Sequence, residues 1–312
     1  MPAHPISSHQ ERQAGEGFLT VSFPDLPFEV PISGGDMPGD KVLIGPSHLA
    51  KAQALFPRLL ALLGPRLDRH ERTVLSVHGG SGVGKSEVGA LLGYYLNQRG
   101  IGTYVLSGDN YPHRIPQDND HQRILIYREW GLKGLVASGD YTRERQELLK
   151  QWQVENRDPD PGLVGEHPWM EAYQTAGRRG LEGYLGSPAE IDFDEVNGIL
   201  AAFHSGASRL WLKRMGREAS DLWYDRIDLA DTKVVVLEWT HGNSRFLRGV
   251  NLPILLYSTP EETLEHRRKR NRDGGVDSPF TTLVLQVEQQ QILAQVHAAQ
   301  IIVKNDASLG SV

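Results

Sequence analysis

The chain has 312 residues, of which 39% are hydrophobic and 23% charged, an ordinary composition for a folded protein with one large domain or a main domain with additions. A formal net charge of −6 argues against nucleic acid as a partner, and the absence of cysteine excludes disulfides, thiolate metal ligands and a cysteine nucleophile. No apolar run approaches the roughly 18 residues of a membrane span and the first residues lack a secretory pattern, so we expect a cytoplasmic protein with no membrane partner.

The first part of the chain predicts small elements. Short apolar runs in 18–32, broken by prolines, predict a hairpin or two edge strands. Ser47 is predicted to cap a helix that runs through 49–63 and ends at Gly64 and Pro65. We therefore expect residues 1–70 to form an N-terminal appendage.

From Thr73 onward, apolar runs of strand length alternate with helical patterns. The predicted strands are 73–78, 102–109, 232–239, 252–257 and 300–305. This alternation predicts an α/β fold with a mostly parallel sheet flanked by helices, in a main domain of residues 71–312.

The alternation is interrupted over 113–190, a segment rich in Trp, Tyr, Arg and acidic residues. Nothing so long stays without structure in a compact domain, so we predict a largely helical insertion or lid beside the active site. Its aromatic residues either form the insertion's own core or line a pocket; they are Tyr127, Trp130, Trp152, Trp169 and Tyr173.

A glycine-rich loop follows the first predicted strand and precedes an amphipathic helix. Its residues are Gly79, Gly80, Ser81, Gly82, Val83, Gly84, Lys85 and Ser86. The glycines let successive amide N–H groups point at one anion, and the helix adds its positive end. In this context Lys85 would bind the β and γ phosphates and Ser86 would ligate Mg²⁺, which predicts ATP and Mg²⁺ as cofactors.

Two carboxylates stand at the ends of predicted strands next to this loop. Asp109 could accept a proton from a hydroxyl group or cap the following turn. Glu238 could hold the metal or be a buried acid satisfied by neighbouring N–H groups. The DxxG and NKxD pair of GTPases and the signature of transporter ATPases are not found, which favours a small-molecule kinase.

Several motifs, in order, resemble the uridine kinase, phosphoribulokinase and bacterial pantothenate kinase branch of P-loop kinases. They are GGSGVGKS (79–86), SGDNY (107–111), SPAEIDFDEV (187–196), VVVLEW (234–239), HRRKRNRD (266–273) and AQIIVKND (299–306). The resemblance implies that Asp109 is the general base or holds the metal's water, that Glu238 lies near Mg²⁺ and that Asn305 lies near the adenine.

The arginine-rich stretch follows a helix start at Thr259, with Glu262 as the reciprocal capping partner. Mobile arginines stabilise the charge that spreads over a moving phosphoryl group, so 260–280 is predicted to be a lid. By the resemblance, Arg268 and Arg272 are its catalytic arginines. The other interpretation is a solvated basic face.

Residues just beyond Asp109 should border the acceptor. The candidates for acceptor binding are His113, Arg114, Asp118 and Asp120, which are equally typical of a polar loop. The branch usually has glycine after the strand-end glutamate; Trp239 and His241 occupy this region here and are added to the substrate candidates.

Together these features predict an ATP-dependent kinase that phosphorylates a hydroxyl of a small metabolite. Two alternatives stay open: a regulatory or assembly NTPase in which the loop switches conformation, and an adenylylsulfate kinase-like transferase. The acceptor and the choice of ATP over GTP are not fixed by the sequence, and a homodimer is left open.

Overall fold

The computed structural model describes residues 23, 35–39, 42–218, 220–259, 261–264 and 278–310. The short strands predicted within 18–32 fall outside these residues apart from Phe23, and so does the arginine-rich segment with Arg268 and Arg272.

The centre of the fold is a five-stranded parallel sheet in the order β2-β5-β1-β6-β7. The strands of the described residues are β1 Thr73–His78, β2 Thr103–Ser107, β3 Arg209–Met215, β4 Leu222–Asp228, β5 Val234–Glu238, β6 Leu252–Leu256 and β7 Ile301–Val303. Every residue of β1, β5 and β6 is buried, as expected of strands covered on both faces. The five predicted strands and the α/β fold class are confirmed.

Helices cover the sheet and build the insertion. Those of the described residues are α1 Pro46–Asp68, α2 Lys85–Gln98, α3 Pro116–Ser138, α4 Arg143–Val154, α5 Gly162–Glu166, α6 Met170–Tyr184, α7 Phe193–His204 and α8 Pro279–Ala294. The insertion is helical as predicted, and Tyr127, Trp152 and Tyr173 are buried in a cluster of its own. None of the helices in the described ranges is long and apolar enough to cross a bilayer.

Helix α1 belongs to the main hydrophobic core. Leu55, Leu59 and Leu63 have no exposed surface and join the cluster formed by α2 and one face of the sheet. The predicted helix bounds were wrong at both ends, because the helix begins at Pro46 after a Gly45 cap and continues past Pro65 to Asp68. Pro65 lies on the exposed side, so burial of the apolar face outweighs the hydrogen bond that proline cannot make.

The other face of the sheet carries elements that the sequence did not predict. Strands β3 and β4 form a separate antiparallel hairpin, with Arg209 opposite Asp228 and Met215 opposite Leu222. Helix α7 packs beside it, and its residues share a second buried cluster with Trp239. This cluster supports the edge of the sheet at which β2 and β5 end.

Candidate active site

The candidate site lies where the parallel strands end. Glu238, the last residue of β5, is in register with Ser107 at the end of β2 and with Val77 near the end of β1. Ligands of open α/β sheets bind at this carboxyl edge. We therefore place the chemistry at this carboxyl edge. The opposite edge, where the strands begin, carries a surface cleft lined by Thr232 and Lys233.

The glycine-rich loop connects β1 to α2 in a conformation that needs its glycines. Gly82 and Gly84 have φ angles of 79° and 94°, in the left-handed region. Lys85 is the first residue of α2, and its Nζ donates a hydrogen bond to the carbonyl of Gly80 at 3.1 Å, across the mouth of the loop. The loop thus has the shape of a phosphate cradle at a helix N-terminus.

Ser86 and Glu238 are brought together as the candidate metal ligands. The Ser86 hydroxyl donates to Glu238 Oε2 at 3.1 Å, and the Ser107 hydroxyl donates to Oε1 at 2.5 Å. Glu238 is 2% exposed. Burial, followed by repulsion from Asp109, raises its pKa to about 8.

These residues fit a magnesium ion. A hydroxyl and a carboxylate are hard oxygen donors, and a nearby cation would favour the charged form of the buried Glu238 carboxylate. Within the described ranges, no group of three or more His, Asp or Glu side chains could hold a metal by itself. One or two protein ligands completed by phosphates is the usual pattern for Mg²⁺ in kinases.

Asp109 lies in a short 3₁₀ turn, Gly108–Asn110, directly after β2. Its side chain is exposed, whereas Gly108 and Asn110 on either side are buried. It is close enough to Glu238 to raise the pKa of that carboxyl. A solvent-facing carboxylate beside the phosphate cradle can accept a proton from an incoming hydroxyl.

The four acceptor candidates after Asp109 have different surroundings. His113 is exposed and contacts the carbonyl of Pro188 through Nε2 at 3.0 Å, and Arg114 donates to the Tyr184 hydroxyl at 3.1 Å. Asp118 is exposed in the first turn of α3. Asp120 forms an ion pair with Arg123 at 3.0 Å.

Trp239 and His241 differ in how they could meet an acceptor. Trp239 is 1% exposed and packs against Phe193 in the second cluster, so it supports the site from within the core. His241 is half-buried and its ring meets Trp239 edge-on. Burial lowers the pKa of His241 to about 4, so its ring is neutral near pH 7.

A buried carboxylate in the insertion, Glu190, was not predicted as a site residue from the sequence. Glu190 has no exposed surface and accepts from Arg123 at 2.6 Å and Asn119 at 2.9 Å. Although burial acts in the opposite direction, Arg123 lowers the pKa of Glu190 below its ordinary value. The signal available in the sequence was that Asn119 and Arg123 are four residues apart, on one face of a helix.

Helix α1 also contributes polar groups that the sequence analysis did not find. Lys51 is 3% exposed, and its Nζ donates to the carbonyl of Val83 at 3.2 Å and to Asn305 Oδ1 at 3.1 Å. The ring of His48 lies against Gly84, where a Cβ atom would come within 2.7 Å of it. Both residues fall on the apolar face of α1 at helical spacing, which is the signal that could have revealed them.

The capping box predicted at Thr259 and Glu262 is present. The backbone N–H of Thr259 donates to Glu262 Oε2 at 2.9 Å, and the N–H of Glu262 donates to Thr259 Oγ1 at 3.3 Å. These are the reciprocal bonds of a capping box. Arg268 and Arg272 lie outside the described residues, so their lid role stays a prediction.

No protein-family model matches the chain. By sequence, the chain is 38% identical over 242 residues to a bifunctional α-galactosidase/sucrose kinase from Mediterraneibacter gnavus. The match covers 78% of this chain but only 21% of that relative.

Two solved structures of small-molecule kinases are similar to the chain at low sequence identity. A D-glycerate 3-kinase from Cryptococcus neoformans var. grubii has a TM-score of 0.47 at 12% identity, covering 85% of this chain and 99% of that one. A structure described as "a Possible Uridine Kinase" from Bacillus stearothermophilus has a TM-score of 0.42 at 10% identity, covering 78% of this chain and 98% of that one. By sequence, the chain is similar to about one fifth of a relative that is named in part a sucrose kinase.

Proposed function

We propose that the protein is an ATP- and Mg²⁺-dependent kinase that transfers the γ-phosphoryl group to a hydroxyl of a sugar. The observation that carries the proposal is the convergence of the phosphate loop, Glu238 and Asp109 at one edge of the sheet, with Ser86 bonded to Glu238 at 3.1 Å. The sugar class is suggested by the relative's name.

The residues have separate tasks in this reaction. The loop amides and Lys85 bind the phosphates and place the γ-phosphorus beside Asp109. Ser86 and Glu238 would hold Mg²⁺, which would supply positive charge that stabilises the phosphates. Positioning and charge stabilisation provide most of the catalysis in phosphoryl transfer.

Asp109 accepts the proton of the acceptor hydroxyl. As the acceptor oxygen bonds to the γ-phosphorus, the bond from phosphorus to the bridging oxygen breaks and ADP keeps its electrons. The hydroxyl proton passes to the Asp109 carboxylate, which is exposed and therefore able to release it to solvent afterwards. Half-buried His241 and Arg123, which the buried Glu190 holds in place, would orient the sugar.

The test is ADP release from Mg-ATP with sucrose, other sugars, sugar phosphates and nucleosides. We expect acceptor-dependent turnover, reduced roughly 100-fold or more in Asp109→Asn, with little change in KM for ATP. Asp68→Asn is the matched control, because Asp68 is an exposed carboxylate at the end of α1, just ahead of the edge where β1 begins. Slow hydrolysis that no acceptor stimulates would instead support the switch interpretation.

A further inference from the structure

The segment 35–39, ahead of α1, contributes a buried carboxylate to the back of the site. Asp36 Oδ1 accepts from the backbone N–H of Ser107 at 2.8 Å and from Asn110 Nδ2 at 3.0 Å. Asp36 Oδ2 accepts from the Tyr104 hydroxyl at 2.7 Å and from Arg214 at 2.9 Å. Four donors from two strands and a turn therefore meet on one side chain.

The two bonds to Oδ1 lie on either side of Asp109 in the sequence. Ser107 ends β2 and Asn110 ends the 3₁₀ turn, so Asp36 fixes both ends of the turn that carries Asp109. Asn110 has no exposed surface, and its Oδ1 also accepts from the backbone of Met215 on β3 at 3.0 Å. The turn is thus held from two directions.

The same segment lies against Glu238. A Cβ atom on Gly35 would come within 2.8 Å of Glu238 Oε1 and 3.2 Å of the Ser107 side chain. Ser107 in turn donates to Glu238. One short piece of chain therefore touches the surroundings of both carboxylates of the proposed reaction.

We infer that Asp36 is a positioning residue for phosphoryl transfer, which acts through Ser107 and Asn110 to aim the Asp109 carboxylate at the acceptor hydroxyl. Arg214 serves as its buried counter-ion, since the two side chains are 10% and 6% exposed. The inference rests on the proposed function, and it gives residues ahead of α1 a part in the reaction.

The first test compares Asp36→Asn with Asp225→Asn by steady-state kinetics and unfolding in urea. Asp225 is the second carboxylate paired with Arg214, at 3.1 Å and 49% exposed, and it has no bond to the turn, so it is the matched control. We expect Asp36→Asn to lower kcat by about tenfold to a hundredfold with little change in KM for ATP, because a small misplacement of a reacting group has effects of this size. Asp225→Asn should keep kcat near that of the wild type.

A double variant separates positioning from stability. Asp36→Leu leaves Arg214 buried without its main partner, whereas Asp36→Leu with Arg214→Leu removes the charge pair together and should recover much of the urea midpoint. We expect kcat of the double variant to stay low, since Ser107 and Asn110 still lack their acceptor. Recovery of kcat along with the midpoint, or equal kcat in Asp36→Asn and Asp225→Asn, would overturn this inference and leave the proposed function standing. A wild type without acceptor-dependent turnover would overturn the proposed function and this inference with it.

Discussion

His78 ends β1 immediately before the phosphate loop, with its ring in the core. It is 3% exposed and its Nδ1 shares a hydrogen bond with the Ser76 hydroxyl at 3.3 Å. Burial, together with the positive charge of Lys85, lowers the pKa of His78 to about 3. Protonation of His78 would place a positive charge in the core beside Lys85, and it is therefore unfavourable in the folded protein.

This residue should make the protein sensitive to acid. In the unfolded chain His78 takes up a proton near its ordinary pKa of 6.5, whereas the native ring stays neutral until about 3, so native stability falls as the pH drops below 6.5. His78→Asn retains an acceptor for Ser76 and does not titrate. We expect the free energy of unfolding of the wild type to fall relative to the variant by up to about 3 kcal/mol between about pH 7 and pH 4. Urea unfolding across this range measures it, and parallel curves for the two proteins would contradict it.

At the scale of elements, α1 supports the phosphate loop. Lys51 joins Val83 in the loop to Asn305 after β7. Removing its ammonium group leaves the buried carbonyl of Val83 and the side-chain oxygen of Asn305 without this donor. We expect Lys51→Met to raise KM for ATP about tenfold while kcat changes less.

The control for this prediction comes from the same helix. Arg58→Met also removes a cation from α1, but Arg58 is exposed and should leave KM unchanged. Equal effects of the two substitutions would show that the helix acts through its overall charge. If neither substitution changes KM for ATP, α1 has no part in nucleotide binding.

Helix α1 should also be essential for stability. Leu59 has no exposed surface and packs in the cluster shared by α1, α2 and the sheet. Leu59→Ala is expected to reduce the free energy of unfolding by about 2–5 kcal/mol, through lost burial and the cavity that it leaves. Leu43→Ala, at a position 71% exposed, is the control with little expected effect. Similar urea midpoints for both variants would mean that α1 folds apart from the main core.

Across the whole molecule, the sequence predicts features that are local. The strand, glycine loop and helix over 73–98 follow from residue spacing alone, and so does the capping box at Thr259. The hairpin of β3 and β4 escaped prediction because nearly every residue of β4 is exposed, so no alternation of buried and exposed positions marks it. The end of α1 was missed because Gly64 and Pro65 are common helix stops that tertiary packing overrode.

The residues of the candidate site also differ in whether the sequence predicts them. Lys85, Ser86 and Glu238 were predicted because a motif or a strand end marks them, and the structure brings Ser86 and Glu238 into contact. Asp36 and Lys51 were not, because their partners lie far away in the sequence. Such long-range polar contacts leave little trace in one sequence.

In the proposed reaction, a phosphoryl group moves from ATP to a sugar hydroxyl. Mass spectrometry of the sugar after incubation with Mg-ATP and the protein tests this directly, with sucrose as the first acceptor and Asp109→Asn as the control. We expect a sugar heavier by one phosphoryl group, formed in step with ADP and almost lost in the variant. ADP and inorganic phosphate without any phosphorylated sugar, at the same rate in both proteins, would contradict it.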